Sequence, residues 1–144
     1  MWQTLIAVLG TLAGVGITSG FQARAARTAR QEARRTEGLG AVTALVEALA
    51  DHRRSMWVRE DLRLRGEDWA EARTESHATR SAITAPLLRV QLLMPAVATA
   101  AQDAAHAAYA LRNADGHPIL NQRRTDALTA SDALVVAAGR HIAA

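Results

Sequence analysis

The stretch LGAVTALVEALADHRRSMWVREDLRLRG, residues 39–66, decides the fold class. Leu39, Val42, Leu45, Val46, Leu49, Met56 and Trp57 recur on a helical period, so one face of a helix reaching about Leu64 is apolar. Gly66 fits the stop, because glycine takes the left-handed conformation that ends many helices. Gly38 and Gly40, at the start of the stretch, offer a place for the helix to bend. Composition points the same way. Alanine supplies 33 of the 144 residues and aromatics only 3%. Alanine loses no side-chain entropy in a helix, and no alternating run of Val, Ile and Thr has strand length. The expected class is all-α.

Downstream, Asp68-x-x-Glu71 resembles a capping box opening a second helix. That helix carries Trp69, Ile83, Leu87, Val90 and Leu93, with a kink expected around Pro86. Pro95 suits the first turn of a third helix running to about Arg112. Asn113-Ala-Asp-Gly-His-Pro118 is the plainest turn in the chain. A last helix uses Leu120, Leu128, Leu134, Val135 and Ile142. Residues 39–144 are thus expected to form an antiparallel bundle of three or four helices. Its aromatics are few, and alanine seams bury little area per residue, so oligomerisation would help it.

Upstream, residues 1–23, MWQTLIAVLGTLAGVGITSGFQA, contain no charged side chain. About 20 predominantly apolar residues suffice to cross a bilayer as a helix, and Trp2 suits an interface. A transmembrane helix is expected here, continuing into the bundle. A cleaved signal would carry its positive charge before the apolar run and a small-x-small site after it. Here the charge lies behind the run, in Arg24, Arg27, Arg30, Arg34 and Arg35 of a basic juxtamembrane helix over residues 24–38. The positive-inside rule then puts the N-terminus outside and the C-terminal domain in the cytoplasm. On one face of the span lie Ala7, Gly10, Thr11, Gly14 and Thr18. Small residues at this spacing let two helix backbones approach closely, so this face is the expected site of self-association.

All 17 cations are Arg and the net charge is +3. Residues 24–37 hold five Arg and two Glu, so they account for the whole excess. The five arginines share one side of the helix and would contact phosphates of the lipid bilayer. No aromatic or Asn/Gln cluster accompanies them, so direct nucleic-acid binding is not expected. With no Cys and no Lys, the chain lacks a thiolate nucleophile, a Cys-ligated metal, a P-loop lysine and Schiff-base chemistry. His52, His77, His106, His117 and His141 are scattered without a ligand spacing, and solvated or capping roles are expected. Asp51-His52 beside Ser55 has triad-like chemistry, yet adjacent residues on a helix point apart. No catalytic residue, cofactor or metal is assigned. The densest chemistry lies in residues 51–65, where Trp57 stands among arginines as at many interface hot spots. Arg53, Met56, Trp57 and Arg59 form the candidate protein interface. The alternative there is a core Trp framed by solvated ion pairs such as Asp61 with Arg65.

The stretches ALADHRRSMWVREDLRLRG (48–66) and ESHATRSAITAPLLRV (75–90), with the N-terminal span, resemble small actinobacterial membrane proteins of the KilB-like plasmid-spread type, found in Streptomyces and relatives. The resemblance implies a membrane-associated, non-enzymatic accessory that helps a conjugative plasmid spread between cells of the mycelium. Expected partners are the bilayer, further copies in a homo-oligomer, and membrane-bound DNA-transfer machinery. Two alternatives belong to other classes. One is a holin-like or lytic membrane protein, for which a cytoplasmic domain of this size is large. The other is a membrane-anchored adaptor or sensor that docks a soluble partner around Trp57.

Overall fold

The computed structural model of the chain describes the backbone of residues 2–143 and the side chains of residues 22–143. Among these residues every regular element is helical: α1 (Trp2–Arg65), α2 (Ala70–Leu93), a 3-10 turn (Pro95–Val97), α3 (Ala98–Tyr109) and α4 (His117–Ala143). The chain divides into two units, Met1–Thr36 and Glu37–Ala144.

In the first unit, residues 22–36 expose every side chain, so all five stripe arginines face solvent. Thr28 Oγ1 donates to the Arg24 carbonyl at 3.1 Å and Thr36 Oγ1 to that of Glu32 at 3.0 Å. Such back-bonding satisfies a hydroxyl within its own helix. Of the span expected over residues 1–23, the side chains of residues 1–21 lie outside the described residues, and so does its face of Ala7, Gly10, Thr11, Gly14 and Thr18. Among the described residues, no helix is long and apolar enough to cross a membrane.

The second unit is an up-down-up-down bundle of four helices, with α1 entering it at Glu37. Pairings run in opposite order along α1 and α2, since His52 meets Thr79 while Arg59 meets Ser76. They also oppose along α1 and α4, where Asp61 meets His117 and Trp57 meets Asn121. Short connections make antiparallel neighbours the natural result. Gly66, with φ of 72°, ends α1. Its N–H reaches the Arg63 carbonyl at 3.2 Å and that of Glu67 reaches Leu62 at 3.0 Å, the double closure of a Schellman motif. Asn113 takes φ of 55° after α3, a conformation Asn tolerates better than most side chains.

Several sequence expectations shift by a few residues. Gly38 and Gly40 do not interrupt α1; Gly38 is buried and serves close approach instead, since a Cβ there would stand 3.0 Å from Met94 Sδ. No capping box opens α2, because its N-cap is Trp69, while Asp68 Oδ1 accepts from Ala70 N at 3.0 Å one step earlier. Pro86 lies inside α2 without ending it. Pro95 starts the 3-10 turn rather than α3, and α3 closes at Tyr109, short of Arg112.

The larger core cluster joins Val42, Leu45 and Leu49 of α1 to Ile83 and Val90 of α2, Ala101, Ala105 and Ala108 of α3, and Leu134 of α4. A second cluster gathers Met56, Leu111, Ala114, Leu120 and Ala127 nearer the turn ends. Alanines carry the interior of α3, which lets its backbone approach its neighbours closely. Leu39, Leu128 and Val135, expected in the core, are 54%, 41% and 51% exposed. Ala41, Ala127 and Ala138 take the inward positions beside them.

Candidate functional site

Residues 51–65 divide between two flanks of α1, because successive side chains advance by about 100°. Arg53 and Trp57 lie towards α4, and His52 and Arg59 towards α2. Trp57 is half-buried; its Nε1 donates to Asn121 Oδ1 at 3.4 Å, and the Arg124 guanidinium stands 5.8 Å from the ring centroid. Ala50, Arg53, Arg54, Trp57, Val58 and Arg124 surround a surface hollow of about 490 Å³. Burial and the neighbouring Arg124 pull the Arg53 guanidinium below the ordinary arginine range, with Asp132 opposing them. Of the four residues expected at a protein interface, Arg53 and Trp57 therefore line a surface. Met56 and Arg59, 3% and 5% exposed, turn into the bundle. They follow the same inward stripe as Leu45, Leu49 and His52.

That stripe ends in ions. Glu60 is fully buried, its Oε2 accepting from Arg63 Nε at 2.7 Å, with Arg59 Nε 3.6 Å from Oε1. Arg63 also donates to the Ala114 carbonyl, tying α1 to the α3–α4 turn. Arg59 donates to Ser76 Oγ at 3.2 Å and lies 5.2 Å from the Trp69 ring centroid, so it ties α1 to α2. Burial lowers the Arg59 pKa and the Glu60 carboxylate opposes that shift. A buried ion cluster of this kind costs desolvation and returns it through geometry and hydrogen bonds.

His52 is buried too, not solvated. Its Nδ1 lies 3.0 Å from Thr79 Oγ1, which also meets Ser55 Oγ at 2.8 Å, and its ring meets Tyr109 edge-on at 5.6 Å. Burial chiefly, with Arg80 and Arg59 adding repulsion, lowers its pKa from 6.5 to about 4. Asp51 turns away to pair with exposed Arg54, so no carboxylate backs the imidazole and Asp51, His52 and Ser55 form no relay. His77 and His106 are exposed, and no group placed to hold a metal occurs among the described residues. Asp61 pairs with Arg65 at 2.9 Å as its i,i+4 spacing implies, and also with His117 at 3.0 Å.

Residue type gives no sign that Glu60 and Ser76 are buried, since Arg, Glu and His in a row resemble a solvated face, and it assigns His52 a solvated or capping role. Register was the available signal: the inward series Leu45, Leu49, His52, Met56 leads by steps of three and four to Arg59, Glu60 and Arg63.

These features define a small all-helical bundle with a structural ion cluster inside and an arginine-lined hollow outside. The chain belongs to the KilB plasmid transfer protein family, whose model matches residues 39–142, a range lying within the second unit. It is 57% identical over 147 residues to Protein KilB of Streptomyces lividans, an alignment covering the whole of both chains. No solved structure matches it.

Proposed function

We propose that this chain is a single-pass membrane-anchored accessory to conjugative plasmid spread. It acts without catalysis, through self-association and protein contacts at the cytoplasmic face of the membrane. The observation that carries the reading is the likeness to Protein KilB across the full length of both chains. Anchorage is supported by the uncharged residues 1–23 and by the exposed arginines that follow them. In this reading residues 1–23 span the bilayer, and Gly10 and Gly14 lie on a face where two spans meet. Arg24, Arg27, Arg30, Arg34 and Arg35 hold lipid phosphates and keep the bundle inside the cell. Arg53 and Trp57 belong to the bundle's protein-contact surface, and membrane-bound DNA-transfer machinery is a partner of the assembled protein. No cofactor takes part.

Deleting the gene from a self-transmissible plasmid is expected to shrink the region of recipient mycelium that the plasmid reaches. Supplying the intact gene elsewhere in the genome is expected to restore it. Spread that is unaltered by the deletion contradicts the proposal.

A further inference from the structure

Three surface hollows of about 490, 340 and 630 Å³ meet at one side chain, Val58 of α1, which is 41% exposed. On the α4 side the walls are cationic: Arg53, Arg54 and Arg124 around the Trp57 ring. On the α2 side they are acidic: Asp68, Glu71 and Glu75, with Leu62 adding an apolar edge. Among the described residues, these three acids enter no ion pair, and neither do Arg53 and Arg124. One face of the bundle thus presents Val58, beside the Asp51–Arg54 ion pair on the same ridge of α1, between a mainly cationic wall on one side and an acidic wall on the other.

We propose that this face binds a second copy of the same chain, with the two α1 ridges side by side and parallel about Val58. This pairing rests on the self-association proposed above and gives it a cytoplasmic surface. The charge order selects the geometry. A two-fold axis running along α1 brings the cationic side of each copy onto the acidic side of its partner, twice per dimer. A two-fold axis lying across α1 superposes arginine on arginine and carboxylate on carboxylate, an arrangement that repulsion disfavours. Self-complementary contact of the first kind is what an isologous dimer requires. In the parallel arrangement both copies enter from Glu37 at the same end, as two chains anchored in one bilayer must.

The chain has no Cys, so single cysteines report the register directly. The full-length protein is reconstituted in vesicles of phosphatidylethanolamine and phosphatidylglycerol, and the variants Glu47→Cys, Val58→Cys and Leu62→Cys are oxidised separately. Each is expected to give a disulfide-linked dimer, because like positions face each other all along parallel ridges. Cross-linking at Val58 with none at Glu47 or Leu62 marks antiparallel ridges and overturns the proposal.

Charge reversal supplies the second readout. Arg53→Glu with Arg124→Glu, and separately Glu71→Arg with Glu75→Arg, should each weaken dimerisation by at least about tenfold. Mixing the two variants should restore it, since each then meets its opposite. A dimer that keeps its mass but shows neither the cross-links nor the charge dependence overturns this surface and leaves self-association standing. A monomer in vesicles overturns both.

Discussion

Replacing Glu60 by Gln is expected to cost the bundle about 3–5 kcal/mol, the range found when one partner of a buried ion pair is removed. The substitution keeps size and shape, so the loss reports charge and hydrogen bonding rather than a cavity. Glu60 has no access to solvent, with Arg59 Nε 3.6 Å away and Arg63 Nε at 2.7 Å. Without the carboxylate, two guanidinium groups face each other across a buried amide that accepts at one oxygen only. The consequences spread beyond α1, because Arg59 also holds Ser76 of α2 and Arg63 holds the carbonyl of Ala114. Urea unfolding of the full chain carrying Trp2→Phe in mild detergent, followed by fluorescence of Trp57 and Trp69, measures the effect. A change below about 1 kcal/mol, the scale of an exposed pair, contradicts a structural role for this cluster.

Acid is expected to weaken the bundle through His52. In the fold its imidazole stays neutral down to about pH 4, whereas an unperturbed histidine takes a proton near 6.5. Between those values the unfolded chain binds more protons, so stability present above pH 6.5 is lost as the pH falls towards 4. From about pH 7.5 to about pH 4.5 the loss should reach roughly 2–3 kcal/mol. Carboxylates also titrate near the lower end, so the comparison is with His52→Asn, which removes the imidazole and retains a polar group for Thr79. The variant starts less stable, having lost the contact with Tyr109, but its slope between the two pH values should be shallower by that amount. Identical slopes contradict the assignment.

The helical class and its punctuation were legible in the sequence because a few residues with strong local preferences set them, while the bundle was left at three or four helices. Gly66 marks the end of α1, Pro95 the break before α3, and residues 113–118 the turn before α4. The direction each helix faces was less legible. Large apolar residues were counted as core, yet Leu39, Leu128 and Val135 point outward while Ala41, Ala127 and Ala138 point in. In an alanine-rich chain, close backbone approach replaces bulky burial, and periodicity read from Leu and Val alone misses the seam. The Trp57 segment shows the same limit from the polar side. Arg53 and Trp57 reach the surface, while Met56, Arg59 and Glu60 do not, and only register along α1 separates them. The Val58 face was invisible for another reason. Its acidic wall comes from α2 and the turn before it, and Arg124 of its cationic wall from α4, so the pattern exists only once the helices are packed.

The resemblance read from residues 48–66 and 75–90 led to the right family, which the full-length alignment establishes independently. Those residues form the α1–α2 pair that carries His52, Arg59, Glu60 and Ser76.

The central proposition is that the bundle must be held at the membrane to support plasmid spread. It is tested most directly by complementing the deleted gene with a version lacking residues 2–23. Circular dichroism and unfolding of the purified shortened chain check that the bundle remains folded. The expected result is a folded protein, produced at the level of the intact chain, that leaves plasmid spread as poor as in the deletion. Full restoration of spread by the shortened chain would contradict membrane anchorage as part of the function.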